Sequence, residues 1–245
     1  MPANPHPLPA LLAIATLAST IQSPTLHAQD RVLEEIVVTA QKRAESVQDV
    51  LLGITALSAE AIARAGITNT TDIVKLAPSL TFARGNSNQN SGFSVRGVGT
   101  QVFSISVENS VAVVIDDVST VKAGQSLANL ADVERIEILR GPQSTLFGRS
   151  ASAGLINVTT KAAADAFEDH VSYLLTDDKQ NCVTGSLSGP VSPTLSYRIS
   201  GHWEDIGGFH DNLTYSDTVN DAESLGARGK LRWASHQNLQ LDLAC

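Results

Sequence analysis

Two stretches in the C-terminal third alternate so strictly that they admit only one kind of backbone. From Thr194 to Trp203, Leu195, Tyr197, Ile199, Gly201 and Trp203 fall on one side of an extended chain, while Thr194, Ser196, Arg198, Ser200 and His202 fall on the other. Leu225 to Trp233 divides the same way, with Ala227, Gly229, Leu231 and Trp233 opposing Gly226, Arg228, Lys230 and Arg232. A period of two is the period of a β-strand, and a helix would scatter these charges around its axis. One face is apolar and the other can be wet. Leu239, Leu241 and Leu243 against Asn238, Gln240 and Asp242 continue the pattern, and Val171 to Leu175 and Val183 to Leu187 extend it upstream.

The connections sharpen this reading. Pro190 to Pro193 and Ala234 to Gln237 read as tight turns, whereas Glu204 to Ser224, rich in Gly, Asp and Asn, reads as a long loop. Short turns on one side and longer loops on the other are the habit of outer-membrane barrels. Trp203 closes an ascending strand and Trp233 the descending one after it, which puts them on opposite rims as two interfacial girdles. A soluble β-sandwich also alternates, so the strands alone leave both architectures open.

The N-terminal part is organised differently. An apolar run from Leu8 to Ile21, leading to Thr25-Leu26-His27-Ala28, predicts a secretory signal peptide over residues 1–28, although no Lys or Arg precedes Arg31. It is too short for a membrane-spanning helix, which needs about 20 apolar residues. Glu34 to Ala40, EEIVVTA, is then a short β-prone run bounded by Gln41-Lys42-Arg43. Such a run either offers its backbone to another chain by strand addition or forms an edge strand of the domain that follows. Ser58 to Gly66 predicts a short helix, Ser58 capping its free N–H groups and Gly66 ending it. A second helix is expected from Thr71 to Ala77, stopped by Pro78. Strand-like runs follow at Phe93 to Arg96, Val111 to Asp116, Val133 to Leu139 and Leu155 to Thr159, which makes this an α+β domain.

Val133 to Lys161, VERIEILRGPQSTLFGRSASAGLINVTTK, joins two β-rich runs through a Gly-Pro turn and a Gly-Arg-Ser loop. With EEIVVTA, FSVRGVG at Phe93 to Gly99 and VAVVIDDV at Val111 to Val118, it resembles the plug domain of TonB-dependent outer-membrane receptors. The resemblance covers nearly everything after the leader. It implies an α+β plug domain at residues 42–162, preceded by a TonB box and linker at 33–41. Antiparallel β-strands of an incomplete transmembrane β-barrel follow at 168–245. It further implies that Glu35, Ile36, Val37, Val38 and Thr39 bind the C-terminal domain of TonB. The family closes about 22 strands around its plug. About five are expected here, which reads as the N-terminal part of a receptor that does not transport alone. Asp117 stands where a glycine is usual after Asp116, and Ser144 where glycine is common before Thr-Leu-Phe-Gly.

Arg96 and Arg140 each sit where an apolar strand reaches a glycine, which predicts partly buried guanidinium groups that need acidic partners. The resemblance implies that they pair with glutamates on the inner barrel wall and latch plug to barrel. A local salt bridge, for Arg140 with Glu137, is the alternative. Ala83 to Gly92 and Gly97 to Glu108 combine Gly and Asn with hydrogen-bonding side chains, as adaptable ligand loops do. Arg84, Asn86, Asn88, Gln89, Gln101 and Phe103 are the candidate contacts; ordinary solvated turns are the competing description.

Composition narrows the function classes. The net charge of −8, with no basic cluster longer than Gln41-Lys42-Arg43, excludes a nucleic-acid footprint. Cys182 and Cys245 form no disulfide framework, and the histidines form no metal set. Gly148 to Gly154 comes near the G-x-S-x-G nucleophile elbow but matches it at neither serine, and no P-loop or H-E-x-x-H occurs. The expectation is a non-enzymatic, cofactor-free importer of a large scarce solute such as an iron-siderophore, cobalamin or an oligosaccharide. Its expected partners are TonB, outer-membrane lipid and a small-molecule or metal-chelate ligand. A soluble periplasmic plug-like binding or signalling module is the alternative.

Overall fold

The computed structural model describes residues 37–39, 42–43, 45–48, 50, 52–100, 107–120, 122–177, 179–208, 210–212, 217–235 and 239–245. The expected signal peptide, Glu35, Ile36, Gln101 and Phe103 lie outside the described residues.

β1 (Val37–Val38) and β2 (Glu45–Ser46) form a small antiparallel pair. β3 (Ile54–Ser58) leads into helix α1 (Ala59–Arg64), and β4 (Leu80–Ala83), β5 (Gly92–Val95) and β6 (Val98–Gly99) make a three-stranded sheet. β7 (Val111–Ile115), β8 (Val118–Ser119), β9 (Val133–Arg140) and β10 (Gly154–Thr160) join β3 in the order β3-β9-β10-β7-β8. A short helix, α2 (Ser144–Phe147), links β9 to β10 and begins at Ser144, whose carbonyl accepts from the Gly148 N–H. β10 runs parallel to β7, and the other pairs in this sheet are antiparallel.

The run VAVVI of β7 is continuously apolar because this sheet is covered on both faces. Ile136, Ile138, Ile156 and Val113 pack with Ile62 of α1 and with Ile73, while Leu139, Leu155, Ala112 and Val114 pack with Ile54, Leu52 and Phe147 on the other side. α1 forms as expected: Ser58 Oγ accepts the Ala61 N–H at 3.4 Å, and Gly66 beyond the helix has φ +61°. The second expected helix is instead a 3-10 turn over Thr70–Lys75, with Asn69 Oδ1 accepting the Thr71 and Asp72 N–H groups. Thr70, Thr71, Ile73 and Val74 are β-branched and Pro78 cannot continue a helix, so only a tight turn fits there.

The second region holds β11 (Glu168–Leu175), β12 (Gln180–Ser192), β13 (Leu195–Ile206), β14 (His210–Asn212), β15 (Asp217–Val219), β16 (Ala222–Ser235) and β17 (Leu239–Ala244). Five of these form one antiparallel sheet in the order β11-β12-β13-β16-β17. β12 and β16 outrun their alternating segments at both ends, β11 at its start and β13 at its end. β12 continues through Pro190 to Ser192 with a register shift, so the turn expected over Pro190 to Pro193 shrinks. The loop expected over Glu204 to Ser224 contains the β14–β15 hairpin, because pairing satisfies backbone groups whatever the polarity of the side chains. Of the turn expected at Ala234 to Gln237, residues 236 and 237 lie outside the described residues.

The sheet inverts the usual rule of burial. Ser196, Arg198, Ser200 and Glu204 are at most 6% exposed, whereas Ile199 is 57% and Leu225 81% exposed. Polar side chains point at the N-terminal domain, and Leu231, Trp233, Leu239, Leu241 and Leu243 point away from it. Trp233 is the register partner of Leu195, and Trp203 lies eight residues further along β13. At about 3.4 Å per residue that is roughly 27 Å along the strand, against an apolar band of about 25 Å in outer-membrane barrels.

Candidate functional site: the coupling segment and the domain–sheet boundary

Two tight hairpins place the first charged groups. β5 and β6 pair at Val95 and Val98, leaving Arg96 (φ +52°) and Gly97 (φ +80°) as the turn. β7 and β8 pair at Ile115 and Val118, leaving Asp116 (φ +46°) and Asp117 (φ +66°). Two-residue hairpins with positive φ at both positions match the twist of the strands they join. The second position is therefore a natural glycine site, occupied here by Asp117.

Arg96, at a turn tip, is exposed rather than partly buried, and its side chain has no carboxylate partner among the described residues. Arg140 is half-buried, but its Nε and Nη2 donate to the carbonyls of Gly53 (3.1 Å) and Ile54 (3.2 Å). The local Arg140–Glu137 bridge does not form. Glu137 is fully buried and its oxygens are engaged elsewhere. Oε1 accepts Arg135 Nε at 2.9 Å and the Thr39 N–H at 2.8 Å, and Oε2 accepts Asn157 Nδ2 at 3.1 Å.

That carboxylate fixes the β-prone N-terminal run. Val37 and Val38 pair with Ser46 and Glu45, so at rest the segment has a neighbour in sequence, as the edge-strand alternative requires. A turn closes through Lys42 N–H to the Thr39 carbonyl at 2.8 Å, which leaves the Thr39 N–H to Glu137 and Thr39 Oγ1 to Arg135 Nη2 (2.8 Å). Val38 is buried at 2% exposure. Of the expected partner-binding residues, Val37, Val38 and Thr39 are thus folded back onto the domain.

The boundary with the second sheet is held by ion pairs of the opposite polarity to the expected latch: cations on the sheet meet acids on the domain. Arg198 of β13 reaches Asp132 through Nε (2.5 Å) and Nη2 (2.6 Å). Lys230 of β16 reaches Asp116 at 3.0 Å, with Arg228 at 3.7 Å. Asp116 also accepts from Thr160 N–H (2.8 Å) and Oγ1 (2.6 Å). Burial pushes the Asp116 carboxyl up, but the Thr160 hydrogen bonds and Lys230 together outweigh it and hold the group below its usual range. Asn129 Nδ2 adds contacts to His202 Nε2 (2.7 Å) and Ser224 Oγ (2.6 Å). A Cβ at Gly226 would come within 2.3 Å of His202 Cε1, so any larger residue there must displace the imidazole.

The candidate ligand loop is braced from within. Gly85 N–H donates to Ser91 Oγ, Ser91 Oγ–H donates to the Ser87 carbonyl, and Asn86 Oδ1 accepts from Asn90 Nδ2 at 2.6 Å. Arg84, Asn88 and Gln89 are exposed on it, while the Asn86 oxygen is committed to the loop itself.

Residues 46–155 match the TonB-dependent Receptor Plug Domain. The iron-regulated outer membrane virulence protein of Vibrio cholerae serotype O1 is 28% identical over 81% of this chain and 31% of its own length. The chain carries a TonB-dependent receptor plug domain. The pesticin receptor of Yersinia pestis is 30% identical over 66% of this chain and 24% of its own. The crystal structure of the ferric yersiniabactin uptake receptor FyuA from Yersinia pestis superposes with a TM-score of 0.73 at 26% identity, covering 79% of this chain and 30% of FyuA. The chain therefore spans about a third or less of the relatives it matches. Two of these three are named as receptors.

The residues that sequence reasoning missed are Arg135, Asp116 and Asp132; Glu137, which it paired with Arg140, meets Arg135 and Thr39 instead. Two signals were available. Glu137 interrupts Ile136 and Ile138 in the apolar middle of β9, and the alternating sheet places Arg198, Arg228, Lys230 and Arg232 on the face that the plug covers.

Proposed function

We propose that this chain is the N-terminal portion, plug and first barrel strands, of a receptor for TonB-coupled uptake of a large scarce solute. An iron-siderophore comes first among cobalamin and oligosaccharide alternatives, since two of the relatives are named for iron. The carrying observation is the inverted sheet: a polar face clasped to the plug and an apolar face directed outward suit lipid on one side and a plugged lumen on the other. Residues 35–39 would pair with the TonB C-terminal domain by strand addition, and pulling would remodel the plug. Ligand would meet the apical loops, with Arg84, Asn88 and Gln89 as available side chains. Arg96 and Arg140 remain proposed latches to strands beyond the five present, because neither has a carboxylate partner among the described residues.

The test is binding of purified TonB C-terminal domain to this chain and to Val37→Pro, which removes one backbone donor from the coupling strand. Binding to the parent and loss in the variant is expected; no binding to the parent would remove the coupling reading. In the full receptor, Arg96→Ala with Arg140→Ala should loosen plug retention and alter uptake of ferric chelates, and unchanged retention and uptake would remove the latch.

A further inference from the structure

We infer that Glu137 and Arg135 form a catch that sets how readily the coupling segment is released to its partner. The inference rests on reading residues 35–39 as that segment. It arises from the way the segment is held. Among the described residues β1 pairs with β2 at two positions, a ladder too short to hold by itself. Beyond the burial of Val38, the grip is polar and comes from the plug: the Thr39 N–H on Glu137 Oε1 and Thr39 Oγ1 under Arg135 Nη2. Both partners stand on β9, the strand between β3 and β10 in the plug sheet. Glu137 is the register partner of Ala56 on one side and Asn157 on the other.

The two halves of the catch have different fates when the segment leaves. Glu137 keeps Arg135 Nε and Asn157 Nδ2, so its charge stays compensated, and Arg135 keeps the Glu134 carboxylate as well. Release therefore costs the two Thr39 bonds and the cover over Val38 without stranding a buried charge. Such a catch is reversible: it can hold the segment at rest and take it back without unfolding the plug. A cleft of about 820 Å³, bordered by Thr39, Lys42, Arg135, Asp116, Lys230 and Asp242, adjoins it and gives the departing chain room. The same cleft joins the catch to the Asp116–Lys230 clasp between plug and sheet. Glu137 and Arg135 are positioning residues here, acting through the segment and not on cargo.

Two conservative variants of the full chain separate the catch from the fold. Thr39→Val removes the hydroxyl that Arg135 grips while keeping the β-branched shape and the backbone that strand addition reads. Glu137→Gln keeps the volume and an acceptor for the Thr39 N–H but removes the charge. Hydrogen bonds to charged groups correspond to roughly ten- to a hundredfold in population. Amide exchange at Val38 and Thr39 should accelerate by about tenfold in each variant. The β9 and β10 amides should keep their protection, and affinity for the TonB C-terminal domain should rise by a similar factor. Unchanged exchange at Thr39, or acceleration spread evenly over β9 and β10, would overturn the catch. If TonB binds the parent chain and binds neither variant more tightly, the catch is likewise overturned. If exchange at Thr39 accelerates locally while TonB binds none of the three proteins, the catch stands and the coupling reading falls.

Discussion

Arg198 and Lys230 are direct register partners on β13 and β16, two cations side by side on the plug-facing side of the sheet, and each has its own aspartate from the plug. Asp132 takes Arg198, and Asp116 takes Lys230. Like charges directly opposite one another destabilise a strand pair. The plug turns that conflict into adhesion by supplying counter-ions from two places, the β7–β8 turn at Asp116 and the residue before β9 at Asp132.

The Arg198–Asp132 pair is nearly solvent-free, with side chains 5% and 8% exposed, so removing one partner leaves a buried charge. Arg198→Ala, which strands the Asp132 carboxylate, should cost about 3–5 kcal/mol; Asp132→Ala should cost less, because Arg198 keeps Glu168 at 3.4 Å. Arg198→Leu combined with Asp132→Asn should recover much of that, because no uncompensated charge remains. Denaturant unfolding of the four proteins measures both effects; additive losses in the double variant would exclude the pair as the source.

Acid should weaken the other clasp. The folded Asp116 carboxyl titrates below its ordinary value of 3.8, so its contribution is fully present above that value and is lost as pH falls through the lower folded one. Thermal unfolding of the parent from pH 6 down to about pH 2 should show a drop that Asp116→Asn lacks. Asn tolerates the positive φ of this turn, so the comparison isolates the charge.

Asp117 occupies the second position of its hairpin at φ +66°. Asp117→Gly should be nearly neutral, within about 0.5 kcal/mol, because relief of backbone strain offsets the extra entropy of the unfolded chain. Its ion pair with Lys42 is exposed and contributes little. Asp117→Val should cost about 1–2 kcal/mol, since a β-branched residue fits this region worst. Melting temperatures of the three proteins decide it.

Ile199 lies mid-strand on the outward face and is 57% exposed. On a water-facing sheet Ile199→Arg would be tolerated; facing lipid near the midplane it should cost about 2–4 kcal/mol. Co-sedimentation with phospholipid vesicles should fall markedly in the variant, and equal sedimentation would argue for a solvated face.

Much of this protein was legible from one dimension. The two-residue period gave the five sheet strands and their two faces, since side-chain direction in a strand is fixed by the backbone alone. Ser58 and Gly66 marked α1 because caps act locally. The four ordered motifs identified the plug. Which face of the sheet is buried could not be read there, because alternation is symmetric until something covers one side; the plug covers the polar side and leaves Leu225 and Leu231 exposed. The β7–β10 parallel pairing, the transfer of Glu137 from Arg140 to Arg135 and Thr39, and the reversed polarity of the plug–sheet clasp were likewise settled by tertiary structure. A charged side chain chooses its partner by distance in space, and Glu137 meets Thr39 across 98 residues of sequence.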